Sequence, residues 1–445
     1  MSNKRKYCDG VSRRDFLRVG SAGALGLNLS LPMLLQGQAQ AATRGKSTSD
    51  ISVIILFLMG GPSAHETFDL KPQAPPDVRG EFRPIGTKVP GIQICEHLPR
   101  VAGQMDKFSI LRAFTHKNSG HGGADHYMLT GYDTKAGFNP AIKPNNQYPS
   151  HGSMIAHKLG PRGSVPPYIC LPSMHPSAGS AYLGADAVPF TIEADPNSPN
   201  FAVPDLASPF TVDSARVDAR HELLAHVDRY RHSAEVAANA GARNVSTFGQ
   251  RAVELMTSPS AKKAFDINNE STSLREEYGR TTLGQSCLMA RRLVEAGVRC
   301  VTINHANWDT HYNNFNILKN DLLPQFDAAY STLLRDLADR GMLKNTIVIT
   351  TGEFGRTPRI NKDAGRDHWS KNFSVLMAGG GINGGRVIGR SNKWGEEPEE
   401  GATGPEDMAA TMYQLLGINP SEEIITPEGR PVPITNKGRV IRELL

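Results

Sequence analysis

The sequence predicts an α/β protein, a three-layer sandwich of helices around a mainly parallel sheet. Three observations predict it. Strand-length runs such as SVIILFLMGG, VRCVTIN and NTIVITTG are almost continuously apolar, as strands covered on both faces must be. Helical patterns, among them TTLGQSCLMARRLVEAG and NILKNDLLPQFDAAYSTLLRDLADRG, alternate with those runs. Glycines close the helices, Gly297 before one strand and Gly341 before another.

The elements follow in order. Residues 1–41 have the form of a signal peptide: a basic start, SRRDFLR, a mild Gly/Ala/Leu stretch to Leu35, and a small-residue site at Ala39-Gln40-Ala41. The paired Arg13 and Arg14 before Phe16 and Leu17 predict export through the twin-arginine machinery, which makes the mature protein periplasmic or otherwise exported. A polar linker, 42–50, leads to one domain over 51–445. Its first strand, SVIILFLMGG, stops at a glycine pair and Pro62; a Pro- and Gly-rich excursion follows, then the strand KFSILRAFTH and a short helix in HGGADHYMLTGY. Residues 137–204 read as loops with short strands such as VPPYICL, and residues 213–297 as a helical insert. The rest alternates strand and helix, with FSVLMAGG as a further strand and PEDMAATMYQLLGI as a late helix ending at Gly417.

Composition excludes several classes of function. Removing residues 1–41 takes six Lys/Arg and two Asp/Glu with it, which leaves 43 basic against 42 acidic residues, so the basic character belongs mainly to the leader. No basic run interleaved with aromatics argues for nucleic acid, and no later apolar run is long enough for a stable membrane span. Cys95, Cys170, Cys287 and Cys300 show no C-x-x-C spacing and read as buried thiols. Gly379, Gly381 and Gly384 fit G-x-G-x-x-G, but GRVIGRS after them reads as a strand and not a helix, so a turn is expected in place of a dinucleotide site. No G-x-S-x-G nucleophile elbow occurs.

Polar clusters fall beside the strands, where ligands collect at the carboxyl edge of such a sheet. WDTH offers Asp309 and His311 two residues apart, with His305 just upstream; TGEFGRTP offers Glu353 and Arg356; GRDHW offers Arg366, Asp367 and His368. Carboxylates with imidazoles suit zinc, iron or manganese, and a more oxygen-rich set suits calcium. A fourth cluster, GGPSAHETFD, carries Ser63, His65, Glu66, Thr67 and Asp69, and a fifth, HGGADHYMLTG, carries His121, Asp125 and His126. Each cluster alone also fits a loop cap or a salt-bridge partner; their common position beside strands is what suggests a shared site.

The segment from Asp309 through Gly355, with Asp327 central to its helix, resembles sulfatases and the wider alkaline phosphatase superfamily, as does the carboxyl-terminal stretch from Asp407 to Val432. With the leader, GGPSAHETFD, WDTH and GEFGRTP, the whole chain resembles the exported family known as domain of unknown function fifteen-oh-one. The resemblance places the superfamily's metal pair on Asp309 and His311. Its Asp-His-Gly falls on Glu353, Phe354 and Gly355, and its late histidine on His368. The acids expected after the first strand fall on Gly60 and Gly61, with only Glu66 or Asp69 as substitutes. The sulfatase segment ending in L-x-T-G falls on HGGADHYMLTG through Thr130 and Gly131, and the position of its modified Cys or Ser is then His121.

Histidine cannot become formylglycine, so the departure at His121 argues against an ordinary sulfatase mechanism. The expected function is a metal-dependent hydrolase of an anionic phosphate or sulfate ester, working through metal-activated water. Asp309, His311, Glu353 and His368 would hold one divalent metal (zinc, manganese, iron or calcium). His121 is a candidate catalytic residue, Arg356 or Arg366 would grip anionic oxygens, and Ser63 or Thr67 are fallback nucleophiles. His65, Glu66, Asp69, His305 and Asp367 are expected around the metal or the substrate. The competing expectation is a catalytically inactive protein of the same fold that binds or scaffolds an anionic glycan or a protein partner.

Overall fold

The protein is described by a computed structural model over residues 50–203, 255 and 258–445. The expected signal peptide, nearly all of the expected linker and most of the first half of the expected helical insert lie outside the described residues. Residues Ile51–Leu445 form one compact unit.

Eight strands make the central sheet: β1 Ser52–Leu58, β2 Phe108–Phe114, β3 Tyr168–Leu171, β4 Phe190–Thr191, β5 Cys300–His305, β6 Thr346–Thr351, β7 Phe373–Ala378 and β8 Val387–Ile388. Their order across the sheet is β8-β2-β7-β6-β1-β5-β3-β4. β1 pairs in parallel with both β5 and β6, and only β7 runs against its neighbours. The apolar runs are continuous because both faces are covered: every residue of β1, β6 and β7 is buried.

Successive β1 side chains feed opposite layers, as strand geometry requires. Ile54, Leu56 and Leu58 join the core beneath helices Thr282–Glu295 and Leu323–Asp339, whereas Val53, Ile55 and Phe57 join the core beneath helices His121–Thr130, His151–Leu159 and Pro405–Leu415. In chain order α1 is His121–Thr130, α2 His151–Leu159, α3 Pro259–Phe265, α4 Thr272–Tyr278, α5 Thr282–Glu295, α6 Leu323–Asp339 and α7 Pro405–Leu415. The end of the expected insert is therefore no appendage. α5 packs on α6 with twelve buried residues, Leu283 to Val294, and is a central part of one helical layer.

Local chemistry explains the element ends. α1 stops at Gly131, whose φ of 77° is the left-handed cap that glycine accepts, so the L-x-T-G stretch is a helix terminus here. Asp327 is buried and accepts the backbone N–H groups of Arg100 and Val101 at 3.1 and 2.8 Å, which ties α6 to the short helix Pro99–Ala102. Gly379–Gly381 form a turn before the short strand β8, as the sequence predicts. All four described cysteines are buried free thiols. Among the described residues no helix is long and apolar enough to cross a membrane.

Candidate metal centre

The parallel strands β1, β2, β5 and β6 deliver their carboxyl ends to one edge of the sheet, and β7, running the other way, brings its amino end to the same edge. Residues that follow β2 (His121), β5 (Asp309, His311) and β6 (Glu353, Arg356) thus meet His368, which precedes β7. His368 pairs with Arg356 across a two-strand ribbon, Gly355–Arg356 with His368–Trp369.

Three imidazoles converge on one carboxylate. Nε2 of His311 and Nε2 of His368 lie 2.9 Å apart, and each lies 3.1 Å from Asp309 Oδ1. His121 Nε2 lies 3.2 Å from Asp309 Oδ2. The other ring nitrogen is held in every case: His121 Nδ1 by Glu353 Oε1 at 2.6 Å, His311 Nδ1 by Asp367 Oδ1 at 2.7 Å, and His368 Nδ1 by the Ser119 carbonyl at 2.9 Å. A carbonyl or carboxylate oxygen can only accept, so each Nδ1 carries a proton and donates it.

In the neutral rings the Nε2 lone pairs of His311 and His368 then point at each other and at Asp309 Oδ1, and that of His121 at Oδ2. Such a cluster of acceptors is repulsive unless a proton or a cation sits within it. Its spacing fits a cation, because bonds of about 2.1 Å place neighbouring ligand atoms roughly 3.0 to 3.4 Å apart. A carboxylate or carbonyl behind each histidine is also the usual outer shell of a metal site. Ligand atoms of His121, Asp309 and His368 all lie within 4.8 Å of one another.

The carboxylate is positioned from below. Trp308 is buried, packs edge-on against Phe326, and donates its indole N–H to His305 Nδ1 at 2.9 Å, so the neighbouring Asp309 is turned outward. Arg356, its side chain fully buried, lies 2.5 Å from Asp309 Oδ1 through Nη2 and bonds the carbonyls of Gly60, Gly61 and Arg366. Partial burial opposes ionisation of Asp309, but the Arg356 hydrogen bond and charge hold its carboxyl down to about 2. Gly60 sits at φ +108°, and a Cβ there would lie 2.3 Å from the Asp309 nitrogen. The glycines standing where acids were expected are thus needed for the close approach of the β1 and β5 ends.

Protonation follows the same geometry. The Glu353 hydrogen bond raises the His121 pKa, while burial lowers that of His368, which the His121 charge lowers further. Burial raises the Glu353 pKa against the pull of His121. Asp367 is lowered by its bond to His311.

Asp309, His311 and His368 meet as the sequence predicts, and Asp367 stands behind His311. Other expectations change. Glu353 is buried; both oxygens accept the Gly60 N–H, at 2.8 and 3.0 Å, and Oε1 also holds His121, so Glu353 orients a donor and does not face the cluster. His121 Nε2, and not a Glu353 oxygen, lies beside Asp309. Arg356 is buried and makes four hydrogen bonds inside the protein, and Arg366 forms a buried pair with Glu66, at 2.8 and 2.5 Å, while bonding backbone carbonyls of Thr357, Pro358 and Val78. Neither guanidinium is available to grip a substrate.

Neither fallback nucleophile faces the cluster: Ser63 is buried and donates to Glu66, and Thr67 is buried and donates to the Ser63 carbonyl. His65 bonds the Trp394 carbonyl, and burial lowers its pKa. Asp69 is engaged by Lys71, Arg112 and Ser391. His305 accepts from Trp308, and burial lowers its pKa to about 4.

Sequence reasoning missed three contributors: the Ser119 carbonyl, the Gly60 N–H, and His116, whose Nε2 lies 2.6 Å from the Glu353 carbonyl oxygen. The first two are backbone groups and leave no trace in a residue pattern. His116, directly after β2, stood at the correct sheet edge.

No curated protein matches the sequence. Among solved structures the chain is similar to a lipoteichoic acid synthase from Listeria monocytogenes (10% identity, 83% of this chain and 72% of that one, TM-score 0.38). A sulfatase from Pseudoalteromonas sp. is also similar (14% identity, 86% and 70%, TM-score 0.37), as is a protein in the alkaline phosphatase superfamily from Vibrio parahaemolyticus (10% identity, 83% and 66%, TM-score 0.39). Residues 50–445 match a family profile described as Protein of unknown function (DUF1501), and the chain belongs to that family.

Proposed function

We propose that this chain is an exported metal-dependent hydrolase of anionic esters, phosphate or sulfate, with the metal held by His121, Asp309, His311 and His368. The observation that carries the reading is the convergence of three Nδ1-anchored histidines, Nε2 inward, on one carboxylate. When bound, the cation supplies Lewis acidity that polarises an ester oxygen and acidifies water. The chain's own residues do the rest. Glu353, Asp367 and the Ser119 carbonyl fix the ring tautomers, and Arg356 keeps Asp309 ionised and oriented. Side chains of His121, Asp309 and His311 are each about two-fifths exposed, at 42%, 41% and 39%, so a substrate can reach the donors from solvent. Since Ser63 and Thr67 are buried, the attacking group is water.

The imidazole-rich set favours zinc, iron or manganese over calcium. The twin-arginine leader, if used, delivers the protein already folded to the exported compartment. A second reading has its own support: with Arg356 and Arg366 committed to internal bonds, the edge could hold an anionic glycan or a protein partner without turning it over.

Elemental analysis of the untagged mature protein, beside an Asp309→Ala, His311→Ala variant, tests the centre. About one transition metal per wild-type chain and none in the folded variant is expected. A panel of phosphate and sulfate esters with the metal-loaded protein then separates the readings. Metal without turnover of any ester leaves the binding protein, and no metal in the folded wild type removes the mechanism.

A further inference from the structure

We propose that Arg356 determines which cation the centre accepts, by cancelling the charge of the one carboxylate among its four donors. The proposal rests on the reading that His121, Asp309, His311 and His368 hold a metal. It concerns a residue whose expected task, gripping a substrate anion, its burial rules out.

Two facts fix the guanidinium in place. Its side chain is fully buried, and four of its five N–H groups bond the carbonyls of Gly60, Gly61 and Arg366 and Asp309 Oδ1. Two of those carbonyls belong to residues with φ of +108° and +83°, a backbone turn that packs against Trp308, Asp309 and Phe354 and leaves no room for a Cβ. Arg356 therefore cannot swing away when a cation arrives. Its charge is also permanent.

The electrostatic consequence is specific. The other carboxylates at this edge, Glu353 and Asp367, each stand behind a histidine and accept its Nδ1–H. The donor set facing the cation is thus three imidazoles and a carboxylate already paired with a permanent positive charge. Calcium and magnesium depend on several charged or carbonyl oxygens, whereas zinc, iron and manganese bind well to imidazole. Offsetting Asp309 removes most of the attraction for the hard cations and leaves the nitrogen donors untouched.

Isothermal titration of the metal-free, full mature protein with zinc, manganese and calcium chlorides tests this, in wild type, Arg356→Gln and Arg356→Lys, with circular dichroism to confirm folding. The wild type is expected to prefer zinc or manganese to calcium. In Arg356→Gln that preference should narrow by about tenfold or more, through a gain in calcium affinity, on the scale by which groups behind the ligands alter metal binding. Arg356→Lys, which keeps the charge, should retain the preference. Equal loss of affinity for all three cations in Arg356→Gln would make Arg356 a mere support for Asp309 and overturn the proposal. So would a preference that collapses in the lysine variant as well, or a wild type that binds calcium as tightly as zinc. Should Arg356→Gln not fold, Arg356→Met, equally uncharged, takes its place with the same two outcomes. A wild type that takes none of the cations ends the metal-centre reading together with the proposal, whereas the other adverse results end the proposal alone.

Discussion

Replacing Glu353 with glutamine separates a group behind the proposed metal ligands from a ligand. The native carboxylate accepts three contacts, the Gly60 N–H on both oxygens and His121 Nδ1–H on one. A glutamine has only one oxygen to offer. The Gly60 N–H is buried and has no recourse to water, so the amide oxygen should turn to it and the NH2 group should face His121. His121 Nδ1 must then become an acceptor, which moves its proton to Nε2, the atom aimed at Asp309. One donor of four is thereby blocked by a tautomer change. Losing a charge-assisted hydrogen bond costs about 1.5–3 kcal/mol of stability. Metal affinity should fall by about 10- to 100-fold, as for other changes behind the ligands. Urea denaturation of the metal-free protein measures the first effect, and competition with a chromophoric chelator the second. If Glu353→Gln abolishes metal binding as fully as His311→Ala while stability is unchanged, Glu353 is itself a ligand. If affinity is unchanged, His121 is not one.

Two further predictions test the scaffold and the charges. Gly60→Ala should cost about 1–3 kcal/mol from positive φ alone, and more from the 2.3 Å approach to the Asp309 nitrogen; a urea midpoint within error of wild type would contradict the placement of the β1 turn. The raised pKa of His121 gives a signed pH effect in the metal-free protein: its contribution is full below the ordinary value of 6.5 and is lost as pH rises through the higher folded value. The stability advantage of wild type over His121→Gln should therefore shrink between mildly acidic and alkaline pH, and an advantage that grows over that range would refute the His121–Glu353 pairing. The difference between the two proteins must be used, because burial lowers the pKa of His126, His151 and His305 to about 4 and so makes total stability rise as pH climbs above that value.

The sheet was legible in the sequence because burial on both faces writes itself as unbroken apolar runs, and the edge that gathers function followed from strand direction. Asp309, His311 and His368 could be picked out for the same reason. What the sequence could not supply was depth. Glu353 and Asp367 are both acids beside ring nitrogens, yet neither faces the cluster, and no one-dimensional pattern distinguishes a carboxylate that binds from one that orients. Arg356 and Arg366 looked like surface grips for an anion; only the fold reveals that backbone carbonyls and Glu66 consume their donors. His121 was identified through a resemblance that made it a substitute for a nucleophile. The packing of α1 against the β6 end gives it a different task, because Glu353 claims one of its nitrogens and turns the other toward Asp309.

The reversed direction of β7 bears directly on whether the centre is structural or reactive. A purely structural four-ligand metal is normally enclosed, with donors drawn from tight loops. Here the donors come from the ends of separate strands on both sides of β1, and Arg356, Glu353, Asp367 and the Ser119 carbonyl each hold one of them through a bond inside the protein. The exposed side chains of His121, Asp309 and His311 leave room for a further ligand. An arrangement of that kind costs stability wherever buried charges must be paired, as with Glu66 and Arg366. If the proposed centre binds a metal, its open edge suits binding or chemistry better than support of the fold.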